Sequence, residues 1–301
     1  VRVLVSQPLS VVASTVPETD AGEWASGTAY TAGQEAQVTA GSTATHMVYA
    51  ALTGNTGKYP PDNATDWAPL RPTHRWALVD PYYETRTAVA GGFSCTLSYD
   101  GVPNALALLN VVGVSVDYVQ RNPGGDVVHS GTVGVVNPHA LDWEDYFFGP
   151  DLPNREIVVP LALWSGTLEL TFNSIEDGLA GCGQVIVGMS RYLGKTLYGP
   201  RIGLRPYSRK TTDEYGRTSI SKGRVLRTVE YDVQVETSRV TPLVQLVKTL
   251  DAERLLLLGN NEELGGESFD CLNIYGFIKD VRTVLSGPTV SDLAIEVEEL
   301  A

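Results

Sequence analysis

This sequence has little of what most active sites are built from. Across 301 residues it holds four histidines, three cysteines and two methionines. Cys95, Cys182 and Cys271 are odd in number, far apart and in no Cys-x-x-Cys pair. That argues against a disulfide framework or a zinc site and for buried thiols in a reducing compartment. His46, His74, His129 and His139 lack metal-ligand spacing, so they are read as hydrogen-bonded or solvent-facing, and no metal or cofactor is expected. Basic charge is scarce too: 22 Lys and Arg stand against 35 Asp and Glu, for a net −13. A chain that grips phosphate backbones or anionic membrane surfaces carries the opposite sign, which sets both aside as partners. No apolar run approaches the roughly 18–20 residues of a membrane helix, so membrane insertion is not expected. The opening VRVLVSQPLSVV has no basic n-region or small-residue cleavage site and does not read as a signal peptide. Absent as well are a GxSxG elbow, an HExxH pair, a P-loop and a GxGxxG ahead of a helix. No catalytic residue is named, and the chain is read as a non-enzyme.

What is present is β-patterned text and an odd cluster of aromatics. Hydrophobic residues make up 43% and charged residues 19%, a composition that folds, and the length suits two or three domains. Residues 1–17 alternate like a strand and end at the turn cluster PETDAG. From 18 to 71, Trp24, Tyr30, Tyr49, Tyr59 and Trp67 sit among Gly, Thr and Ala with almost no large aliphatics. A disordered segment is poor in aromatics, so this stretch reads as a compact β module of three or four short strands. Its aromatics either fill a tiny core or form plates for the flat C–H faces of sugars. The expected split puts Trp24 and Tyr49 inward and the others outward.

Residues 72–203 read as a β-sandwich of jelly-roll type, with strands such as FSCTLSYDG and IVVPLALWSGTLELTFN between Gly, Pro and Asn turns. DWEDYFFG (142–149) suggests a short helix capped by Asp142. Residues 204–301 read as an α+β domain for assembly. A long strand covers 222–237. A helix follows, capped by Thr241 with Pro242 at its first position and with Leu243, Leu246, Val247 and Leu250 on one face. Strands are expected at 255–259, 269–287 and 292–300. SRKTTDEYGRT (208–218) reads as a polar loop of mixed charge, an interface candidate because Tyr207 adjoins it and Tyr215 sits within it. The fold class is therefore mainly β.

Two resemblances follow from particular residues. Trp24, the run Tyr30-x-x-Gly33 leading to Val38, then Gly41, Tyr49-Ala-Ala51 and Trp67-Ala-Pro-Leu70 resemble the small chitin-binding type modules of carbohydrate-binding families 5 and 12. That resemblance implies a carbohydrate site among Trp24, Tyr30, Tyr49, Tyr59 and Trp67. HRWALVDPYYETRT, DWEDYFFGP, the stretch from VIVGMSRYLG to YGRTSI, and LNIYGFIKD resemble segments of tailed-bacteriophage virion proteins, over most of 71–300. This implies a structural component of a tail tip, baseplate or fibre attachment, assembled in the host cytoplasm and located in the virion. Its partners would be other tail proteins and copies of itself, with host surface glycans touched weakly. The alternative is a carbohydrate-active enzyme, a depolymerase or wall hydrolase, with Asp142, Glu144 and Asp145 as its acids.

Overall fold

In this computed structural model the residues described are 1–301, less 42–44, 81–84, 136–142, 149–155, 176–177, 198, 213, 251–252, 260–271 and 301. Asp142 and Cys271 therefore lie outside the described residues, and so does the side chain of Asp145. The protein is mainly β.

β1 (Arg2–Ser6) and β2 (Leu9–Ser14) open the chain. The small module holds β3 (Ala29–Tyr30), β4 (Glu35–Val38), β5 (Met47–Ala51), β6 (Asn55–Thr56) and β7 (Trp67–Pro72). The body continues with β8 (Thr87–Ala90), β9 (Phe93–Tyr99), β10 (Ala105–Leu109), β11 (Ser115–Arg121) and β12 (Val127–Gly134). Helix α1 (Trp143–Phe148) follows, then β13 (Glu156–Pro160), β14 (Gly166–Asn173), β15 (Leu179–Cys182), β16 (Gln184–Tyr192) and β17 (Lys195–Thr196). Last come β18 (Arg201–Pro206), β19 (Arg209–Thr212), β20 (Thr218–Ser221), β21 (Val225–Glu236), α2 (Val240–Thr249), β22 (Leu255–Leu258), β23 (Asn273–Val284) and β24 (Val290–Glu299).

One ten-stranded sheet organises the body, in the order β13-β10-β16-β1-β22-β23-β24-β21-β17, with β18 also on β21. It runs through the boundary read at 203/204, and the first strand of the chain sits at its centre. Val3 and Leu257 are register partners and share one face; Leu4 and Leu256 share the other. Both faces are buried there, which is why LLLL needs no alternation. On one face the five-stranded sheet β12-β11-β14-β9-β2 closes a sandwich over Leu106, Leu108, Val185 and Val187, with Phe93, Leu97, Leu170 and Phe172 opposite. Farther along that same face, α2 covers Val229, Tyr231, Leu257 and Ile295 through Leu243 and Leu250.

The opposite face carries Leu4, Ala107, Ile186, Leu256 and Tyr275, with Val158 of β13 and Leu300 beyond β24 packed on the same cluster. Those two side chains sit near opposite ends of the strand order. The Arg227 guanidinium of β21 also reaches Glu156 of β13 at 3.0 Å and Glu299 at 2.9 Å. Seven strand steps of a flat sheet span roughly 34 Å, beyond the reach of any two side chains. The sheet is therefore curled, with the small and apolar residues of this face on the inside.

The α2 prediction holds for the apolar face but not for the cap. A 3-10 turn, Thr237–Arg239, runs straight into the helix, which begins at Val240 with no side-chain cap. Thr237 instead donates to the Gly287 carbonyl. The stretch read as a polar loop at 208–218 forms β19 and β20, paired with each other.

Candidate functional site

The module between β2 and β8 forms a three-stranded sheet, β4-β5-β7, and a two-stranded one, β3-β6. With so few aliphatics to bury, the aromatics become the core. Trp67, Tyr30 and Tyr49 are buried with Ala36, Val38 and Ala51. Tyr30 meets Trp67 edge-to-face, centroids 5.0 Å apart at 71°. The polar ends of both are satisfied: the Trp67 indole N–H donates to the Lys58 carbonyl at 3.0 Å, and the Tyr30 hydroxyl accepts from the Ala25 N–H at 2.9 Å.

The expected split is corrected on this point. Tyr30 and Trp67, expected outward, are interior, because no other large side chain is available to fill the space. Tyr49 is inward as expected. Trp24, expected inward, is half-buried and packs over the core beside the half-buried Tyr59. Their centroids lie 5.1 Å apart at 71°, so they form a corner rather than two coplanar plates. Of the five residues, only these two are not buried. Tyr59 is followed directly by a 3-10 turn, Pro60–Asp62, whose exposed Asp62 and the neighbouring Lys58 and Asn63 give the corner polar neighbours in the chain.

Next to Trp67 in the chain is a residue that sequence reading missed. Both carboxylate oxygens of Asp66 accept from Lys58 at 2.8 Å, and one also accepts from the Thr53 hydroxyl at 2.9 Å. The Lys58 ammonium and then the Thr53 hydroxyl hold its carboxyl below the usual range. This ties the loop at 53–58 to the start of β7. A Lys and an Asp eight residues apart on irregular backbone leave no periodic signal. Glu23 secures the other flank: burial works against its charge, but hydrogen bonds from the Thr39 hydroxyl and the Thr39 and Ala40 N–H groups lower its pKa.

The module is fixed to the body by a polar seam. Glu18 accepts from the Thr73 hydroxyl at 2.6 Å and lies 3.0 Å from His46 Nδ1 and 3.7 Å from Arg75. The His46 ring stacks on Trp76 at 4.3 Å, and Asp20 accepts from the His74 N–H at 3.1 Å. His46 sits in the left-handed region, φ 53°.

Of the acids named for an enzyme, Glu144 is exposed on α1, beside Trp143, Phe147 and Phe148, which are also exposed. Among the described residues no group of His, Cys, Asp and Glu is placed to hold a metal ion. No described helix is long and apolar enough to cross a membrane. Cys95 and Cys182 are free thiols buried in the sandwich core. Burial pushes the Cys95 thiol up to about 12 and raises that of Cys182 as well.

No protein-family model matches this chain. No curated protein matches it either. Among solved structures, a pectin-binding carbohydrate-binding module is similar at 12% identity, over 37% of this chain and 77% of that one, with a TM-score of 0.24. Likeness of that degree is too low to carry a fold or a ligand across.

Proposed function

We propose that this chain is a structural component of a bacteriophage tail, associating with copies of itself and with other tail proteins, and that its small module makes weak contact with surface glycans. The observation that carries the adhesive half is the Trp24–Tyr59 corner: two aromatic rings left half-open on a module whose other aromatics are committed to its core. Ring faces with hydrogen-bonding neighbours suit the apolar faces and hydroxyl rims of sugars. Single contacts of this kind are weak, and repetition of the chain in an assembly turns them into avidity. The tail half is supported by the sequence resemblance over residues 71–300.

The adhesive half is tested by affinity electrophoresis of the full chain through a panel of polysaccharides, beside Trp24→Ala and Tyr59→Ala. Loss of one ring is expected to weaken retardation by about tenfold. If no polysaccharide retards the parent chain, or if both variants bind as it does, the adhesive reading fails. The tail half is tested by immunogold labelling of phage particles, where label away from the tail sinks it.

A further inference from the structure

Between 200 and 225 the charge of this protein inverts. Seven Lys and Arg stand there against two Asp and Glu, a net +5 on a chain of −13, so the remainder carries −18. The same residues form a projection. β18 pairs with the first half of β21, Pro206 opposite Val225. The pairing continues outward through Tyr207 N–H to the Arg224 carbonyl and then β19 with β20, Arg209 opposite Ser221. From Pro206 outward this is one hairpin arm, roughly 30 Å long at about 3.3 Å per residue. None of its described residues is buried, and Leu204 (66% exposed), Ile220 (74%) and Tyr215 (87%) present apolar surface among the cations. A two-stranded ribbon with no core is marginal alone and gains its order from what it lies against.

Farther along β21 is a surface of opposite character. Asp232 and Asp292 project from adjacent strands on the face away from Val233 and Leu293. They line a groove of about 380 Å³ with Leu197, Val284, Ala294 and Arg282. Arg282 is already held by Asp280 at 2.7 Å. Both aspartates are exposed, and neither carboxylate has a hydrogen-bond or ion-pair partner among the described residues. Val284 and Leu285 at its edge are 61% and 69% exposed. A groove of apolar floor and acidic wall complements an arm of apolar and basic side chains.

The arm cannot reach its own groove. It leaves β21 at Val225 and points away from Asp232, which lies roughly 23 Å up the strand. We infer that the arm of one copy docks in the Asp232–Asp292 groove of a second copy. Donor and acceptor are different surfaces, so copies join either reciprocally as a two-fold pair or in succession around a ring. This rests only on the part of the functional reading in which copies of the chain associate, and stands whether or not the module touches a glycan.

The test is sedimentation of the full chain at low and high salt, with an arm variant R209E/K210E and a groove variant D232K/D292K, each checked for an unchanged thermal transition. The parent chain is expected to associate, less at high salt because the contact is ionic. Each variant is expected to weaken association by at least about tenfold, and an equimolar mixture of the two to restore it, since each then offers the charge that the other lacks. A monomeric parent chain overturns the inference. So does association that either variant leaves intact, or a mixture that fails to recover. Polysaccharide retardation of the parent chain keeps the outcomes apart: glycan binding by a parent chain that does not associate sinks the arm and leaves the glycan reading standing.

Discussion

Trp67 and Asp66 are chain neighbours with opposite fates, and both decide whether the module holds together. Trp67 is 1% exposed in a core whose aliphatic members, Ala36, Val38 and Ala51, are small. Trp67→Ala is therefore expected to cost about 3–5 kcal/mol and to unfold the module, seen as loss of its near-ultraviolet dichroism. Asp66 acts through charge. Its folded pKa is depressed, so its contribution is complete above the unfolded carboxyl value of about 3.9 and is lost as pH falls through the folded value. Asp66→Asn is expected to flatten the acid limb of a melting-temperature profile while leaving its neutral limb lower; an unaltered acid limb would refute the assignment. Cys95 and Cys182 are expected to resist a thiol reagent in the folded protein and to react on denaturation, since burial disfavours their thiolates. The sequence made the aromatic cluster legible, but not which rings turn inward. β3 and β6 are two residues each, too short for any period to show a face. The seam at Glu18 was illegible for a different reason: its partner Thr73 lies 55 residues away.

Elements with a period were read well from sequence. β9 and β14 alternate buried and half-buried residues along their lengths, and α2 buries the apolar stripe its spacing implies. Elements without one were not. The arm formed by β19 and β20 is exposed on both faces, so no alternation marks it, and it was read as a loop. Gly188 in β16 was equally silent. A Cβ there would fall 1.8 Å from the Val5 carbonyl oxygen, so the close approach of β1 to β16 depends on hydrogen at that position. Gly188→Ala is expected to destabilise the body by about 3 kcal/mol, measured by denaturant unfolding. A near-neutral value would mean that the two strands part without cost.

At the scale of the molecule, the curl of the great sheet was the least legible feature, because it depends on side chains meeting across strands that no local pattern connects. Arg227 marks the place. Burial disfavours its charge, but the hydrogen bonds it donates to Glu299 and the charge of Glu156 outweigh that and raise its pKa, so it stays ionised at every working pH. Arg227→Ala leaves two half-buried carboxylates facing each other and is expected to cost about 3 kcal/mol, with faster amide exchange in β13 and β24. Exchange confined to β21 would show that the two ends of the sheet are held together by something else. β1 raises a matter of timing. Its register partners are Arg191 in β16 and Leu257 in β22, so it leaves the ribosome long before either neighbour exists. At about 5–20 residues per second the wait for β22 is roughly 13–50 s. Until β16 is made the nascent chain carries an apolar strand with two open edges, and until β22 is made one edge stays open, so a chaperone that shields extended segments would find a client there.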